Sequence, residues 1–222
     1  MGKLNTHIAN ANDKFTNDEI KAIENAIASA EKFINKHFAF DYDVDIVVTT
    51  PSFLMSTIPE DGISGRTYNS QLIILVLDSH ERPISENLVF ETVCHEMSHS
   101  LRWEKLPEYS KTLFDGAILE GLAIVLEEAA IDERGSEEKQ FFLKEMQNTD
   151  QGTIDGIITQ LKDMFSSEQY DYDTVFYTGD SKIPRWSGYR LGYYYVKKYL
   201  NKKDATIFEA TLASYSEFSP EI

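Results

Sequence analysis

Residues 95–99 read His-Glu-Met-Ser-His, and this pentad constrains the fold more than any other feature of the chain. On an α-helix, positions i and i+4 lie about 40° apart around the axis. Both imidazoles then point the same way and can bind one metal ion. Glu96 falls about 100° from His95, at the edge of that face, where it can reach a water on the metal. The neighbouring residues fit a helix. Phe90, Val93, Met97 and Leu101 gather on the side of the wheel opposite His95 and His99. The pattern predicts a helix from Ile84 to about Trp103 that packs by one face and presents the histidines from the other.

Two histidines leave positions open for a third protein ligand and a water, as a catalytic zinc ion needs. The next predicted helix, Thr112 to about Asp132, carries Glu120 in the stretch Leu119-Glu120-Gly121-Leu122-Ala123. A carboxylate amid apolar residues is costly unless it is paired or metal-bound. Glu120 is therefore the expected third ligand, with Glu127, two turns on along the same face, as the alternate. Gly116, Ala117 and Ala123 share that side and would let the two helices approach closely. His7, His37 and His80 have no partners nearby in sequence and read as surface residues. Cys94 turns away from the histidine face and reads as buried filler. As the single cysteine, it excludes an intrachain disulfide and any zinc site built on several cysteines.

The rest of the chain divides into strands early and helices late. Thr16 and Glu19 form a capping box ahead of Ile20, Ile23, Ile27, Ala30 and Ile34, which predicts a helix over about 17–37. Val44–Thr50 and Gln71–Leu77 read as strands, with a loop from Pro51 to Ser70 that contains Gly62 and Gly65. Further helices are expected over Ser136–Gln147, Thr153–Ser166, Trp186–Leu200 and, briefly, Thr206 to about Phe218. Glu168–Pro184 reads as an acidic, tyrosine-rich loop. The expected class is α+β, with a small N-terminal sheet and a helical C-terminal half. The length of 222 residues suits one domain over 1–222, divisible into an α/β lobe (1–103) and a helical lobe (104–222).

Charge narrows the partners. Asp plus Glu is 37 against 21 Lys plus Arg, a formal charge of -16. Such a surface repels phosphate backbones, so no nucleic-acid partner is expected. The longest purely apolar run, Leu72–Leu77, is far short of the roughly 20 residues of a membrane span. The opening residues MGKLNTHIAN have no apolar stretch of the signal-peptide kind.

Three segments carry a family resemblance: Gly62–Asp78 (GISGRTYNSQLIILVLD), ETVCHEMSHSLR with the following LEGLA, and Phe176–Val196 (FYTGDSKIPRWSGYRLGYYYV). The histidine pentad with a glutamate on the next helix resembles the gluzincin metallopeptidases. Together the segments resemble a bacterial family of unknown function described as predicted Zn-dependent proteases. The resemblance runs from about residue 62 to 200. It implies a zincin-like fold with an edge strand over the histidine helix, Zn²⁺ held by His95, His99 and Glu120, Glu96 as general base, and a peptide or protein substrate. Some gluzincins place an aspartate four residues after the ligand glutamate to support a ligand histidine. Here that position is Ile124, so Glu91 or Glu127 would take its place.

In such a site the metal lowers the pKa of a water and Glu96 takes the proton. A second hydrogen-bond donor usually steadies the oxyanion. The tyrosine-rich helix offers Tyr189 first and Tyr193 second, beside the bare strip left by Gly188 and Gly192, with Arg190 next in line. The stretch Gly62–Leu77 is the candidate for pairing with a substrate backbone. Two other readings stand beside a peptidase: a zincin-like domain that binds a partner without turnover, and a zinc hydrolase of a non-peptide amide or ester. An intact Glu96 favours an enzyme.

Overall fold

The computed structural model describes residues 1–11, 13–80, 82–106 and 110–219. The chain forms two compact units. The first comprises Met1–Lys105 and Glu127–Lys144, and the second Leu106–Leu126 and Glu145–Ile222.

The first unit is built on a four-stranded sheet. Its elements are β1 (Leu4–Ile8), α1 (Asn17–Phe38), β2 (Val44–Thr49), β3 (Ile63–Asn69), β4 (Leu72–Leu77) and α2 (Glu86–Lys105), and they are joined by the second half of α3 (Leu113–Arg134). The strand order is β1-β2-β4-β3. β1, β2 and β4 run parallel, and β3 returns antiparallel to β4 at the edge. α1 makes the crossover from β1 to β2, as a parallel pair requires. It starts where the sequence places it: the Thr16 side chain accepts from the Glu19 backbone N–H while Glu19 reaches back to Thr16. Its inward stripe of Ile23, Ala26, Ile27, Ala30 and Ile34 is buried, as are Val44, Ile46 and Val48 of β2 and Ile73 and Leu75 of β4. On α2, Phe90, Val93, Met97 and Leu101 are buried, and so is Cys94. Phe33 of α1 meets Phe90 of α2 edge-on, with ring centroids 6.1 Å apart.

Two strands are absent from the sequence expectation. β1 is short, and its three middle residues, Asn5, Thr6 and His7, are all polar. β3 occupies the segment read as a loop. Its sequence, Ile-Ser-Gly-Arg-Thr-Tyr-Asn, has a glycine in its interior and polar residues on both faces. A strand is depleted in such residues unless another group occupies the space the side chain leaves. Here that group is Glu96: a Cβ on Gly65 would lie 2.6 Å from both Cγ and Oε1 of Glu96. The strand above α2 is therefore β3, while the apolar run Gln71–Leu77 supplies the interior strand β4. Hydrogen bonds at Glu96 and Ser100, one turn apart on α2, stitch this hairpin to the helix. Thr67 donates to Glu96, and Ser100 donates to the Ser70 carbonyl at 2.6 Å.

The second unit is helical. It holds the first half of α3, the end of α4 (Phe141–Gln147), α5 (Gln151–Leu161), α6 (Ser187–Lys203) and α7 (Ile207–Ala210). α4 starts five residues later than expected, because Asp61 is its cap: its carboxylate accepts the backbone N–H groups of Phe141 and Phe142. Asp150 caps α5 through the Thr153 N–H. Asp173–Thr178, expected as loop, is a wide π-helical turn. α3 and α6 cross in backbone contact. A Cβ on Gly192 would lie 1.9 Å from the Ala117 carbonyl oxygen, and one on Gly121 would lie 2.2 Å from the Gly192 carbonyl carbon. Ala117 and Gly121 of α3 thus serve its approach to α6, while Gly116 faces Tyr170 and Phe176. Among the described residues, no helix is long and apolar enough to cross a membrane.

Candidate metal centre

α2 presents its histidines as the 3.6-residue period dictates. His95 and His99 are each half-buried, on the side away from the apolar stripe. Their ring centroids lie 5.1 Å apart at 70°. His95 Nδ1 is 2.7 Å from Oε2 of Glu127, and that carboxylate fixes the tautomer. Nδ1 carries the proton that Oε2 accepts, which leaves the Nε2 lone pair for a metal. Glu127 itself is 1% exposed, and its Oε1 has no hydrogen-bond partner among the described residues. Burial pushes its carboxyl up, and the facing His95 pulls it back. Glu127 is thus the carboxylate that orients the His95 imidazole.

Glu91 does something else. It is fully buried and accepts the backbone N–H of Gln140 with both oxygens, at 3.2 and 3.1 Å. Burial first and the Glu127 carboxylate second push its acid up to about 9; Asp61 adds to the rise, while the Gln140 N–H and Lys139 oppose it. A native carboxyl that high holds a proton that the unfolded chain releases at an ordinary value near 4.5. Its contribution to stability is complete below that value and is lost as pH rises towards 9. Glutamine at this position carries no such proton. The melting temperature of Glu91→Gln should therefore fall less than that of the wild type between about pH 5 and about pH 8. Parallel melting curves for the two proteins would show that Glu91 is ionised in the native state.

Glu120 lies on α3, seven residues before Glu127 on the same unbroken helix. The ligand atoms offered by His95, His99 and Glu120 all lie within 4.8 Å of one another. Two imidazoles and one carboxylate are a donor set that suits zinc.

Glu96, next to His95, is 5% exposed. Its Oε2 accepts from the Thr67 hydroxyl at 2.7 Å, and its Oε1 side lies against the bare Cα of Gly65. Sequence reasoning missed both residues, because β3 has to be recognised as a strand before Gly65 and Thr67 fall on one face.

Tyr189, on α6, has Glu120 among its electrostatic neighbours and shares a hydrogen bond with the Tyr177 hydroxyl. Its ring packs edge-on against Phe176, with centroids 5.4 Å apart. Burial raises its hydroxyl well above the ordinary tyrosine range, with Glu120, Tyr177 and Tyr172 adding to the rise. The phenol keeps its proton. Tyr193, one turn on, lies under the Lys197 ammonium, 5.6 Å from the ring centroid. Arg190 is committed to the end of α4: its guanidinium donates to the Glu145 carbonyl, to the Glu145 carboxylate, both at 2.9 Å, and to the Thr149 hydroxyl. Of the other histidines, His80 is exposed, His7 pairs with Asp45 and His37 with Glu133.

A family described as a predicted Zn-dependent protease matches residues 21–219 of the chain. Neither a curated protein nor a solved structure matches it.

Proposed function

Because the chain belongs to this family of predicted Zn-dependent proteases, we propose that it is a zinc metallopeptidase of gluzincin type, with a zincin-like fold. The observation that carries the reading is the convergence of His95, His99 and Glu120, with Glu96 beside them on α2 and Glu127 on His95. His95, His99 and Glu120 would hold the ion. Zinc supplies Lewis acidity there and lowers the pKa of a water.

The chain's own residues do the rest. Glu96 accepts a proton from the attacking water and passes it to the departing amine, the general acid–base work that a positioned carboxylate performs. Tyr189 donates a hydrogen bond to the carbonyl oxygen as negative charge develops on it. Tyr193 is the second choice for that donor. The phenol of Tyr189 suits the role because it stays protonated. Glu127 holds the His95 imidazole in the tautomer the ion needs. β3 offers a free edge for an extended peptide backbone. Its start is bridged by Ile58 to Ile63, and from Ser64 to Asn69 it pairs only with β4 among the described residues. An extended peptide can add to such an edge through main-chain hydrogen bonds.

A peptide-library digest tests the assignment. The zinc-loaded protein should cut, lose its cutting with a chelator and regain it when zinc is restored. A zinc-replete protein that leaves every peptide intact would favour a domain that binds a partner without turnover.

A further inference from the structure

The cradle around Glu96 has two halves on one strand. Gly65 and Thr67 are two residues apart on β3, so they face the same side of the sheet, and both meet the Glu96 side chain. Directly after Thr67 the register of β3 on β4 shifts, so that Thr67 pairs with Ile73 and Asn69 with Leu72. A bulge at that point re-aims the strand. The Thr67 hydroxyl lies 2.7 Å from Oε2 of Glu96 and 2.9 Å from the carbonyl oxygen of the same residue. One hydroxyl thus reads both the backbone and the carboxylate of a single residue, which fixes the side chain relative to its own helix. On the other flank the carboxylate fills space that any larger residue than glycine would take: a Cβ on Gly65 would stand 2.6 Å from Oε1 and 2.9 Å from Cδ.

We propose that Thr67 is a positioning residue for the general base, holding Oε2 of Glu96 by a hydrogen bond while Gly65 leaves the space in which Oε1 sits. The proposal rests on the reading of Glu96 as base. Its chemistry is simple. A carboxylate that must take a proton from a water in one direction gains from losing its rotational freedom beforehand. A hydroxyl is the right device. It donates to a carboxylate oxygen of Glu96, and the carbonyl of the same residue lies within reach as a second acceptor. Threonine also brings a β-branched side chain that is stiff at χ1 and favoured in a strand.

Kinetics and melting of a small set of variants decide the matter. Thr67→Val keeps the shape and removes the hydroxyl. It should lower kcat about 10- to 100-fold, the effect expected when a hydrogen bond to a charged group is lost, with KM and zinc content near those of the wild type. Thr67→Ser, which keeps the hydroxyl, should recover most of that loss. Gly65→Ala should lower kcat as Thr67→Val does, because its methyl group displaces the same carboxylate. A readout independent of turnover comes from the metal-free protein. There the shifts in melting temperature caused by Thr67→Val and by Glu96→Ala should be non-additive, since each removes the same bond. Full kcat in Thr67→Val beside an inactive Glu96→Gln would overturn the role of Thr67 and leave the base in place. Additive melting shifts would overturn it too, as would loss of zinc in Thr67→Val, which would make the contact structural. A Glu96→Gln protein with the wild-type rate would instead overturn the base itself.

Discussion

Glu96→Gln should retain its zinc and its fold and lose nearly all peptide cleavage, with kcat down about 10²–10⁴-fold. Glutamine matches glutamate in volume, which matters because the side chain is buried and hemmed in by Gly65 and Thr67. The amide oxygen can still accept the Thr67 hydroxyl, so the cradle survives. What the amide cannot do is accept a proton at neutral pH. The loss should therefore fall on kcat, while the metal content and the melting temperature stay near those of the wild type. Steady-state rates on any peptide that the native protein cuts, measured beside metal analysis, check this. A variant that cuts at the native rate would remove Glu96 from the chemistry.

The part of this site that is legible in the sequence is the part set by helical periodicity. A five-residue motif on a helix fixes its own geometry, so the phase of His95, Glu96 and His99 follows from spacing alone, and the burial of Phe90, Val93, Met97 and Leu101 follows with it. Glu120 was readable for a different reason: a carboxylate in an apolar helix needs an explanation. The same argument applies to Glu127 and Glu91 without separating their roles. Only the fold puts one carboxylate on His95 and the other under the backbone of Gln140. β3 was illegible because its glycine and polar residues answer to Glu96, a residue some thirty positions away, and not to any local strand preference. Arg190 looked available on the helical wheel, but the end of α4 takes up its guanidinium. Tertiary contacts of this kind leave no periodic trace.

Removal of Glu120, the proposed third ligand, carries the other large effect. Glu120 is half-buried in an apolar stretch of α3, between Ile118 and Leu122, and alanine there leaves two imidazoles to hold the ion alone. Each lost ligand weakens a zinc site severely, since the site's affinity comes from the full set acting together. Glu120→Ala should thus emerge from purification with little or no zinc and with no cleavage. The fold should persist, because alanine favours the helix and Glu120 is only half-buried. Elemental analysis of the wild type and of Glu120→Ala, purified side by side without chelator, is the most direct measurement of the central claim. About one zinc per wild-type chain and a metal-depleted variant is the expected result. Equal zinc in the two proteins would contradict the ligand set, and a wild type without zinc would contradict the site as a whole.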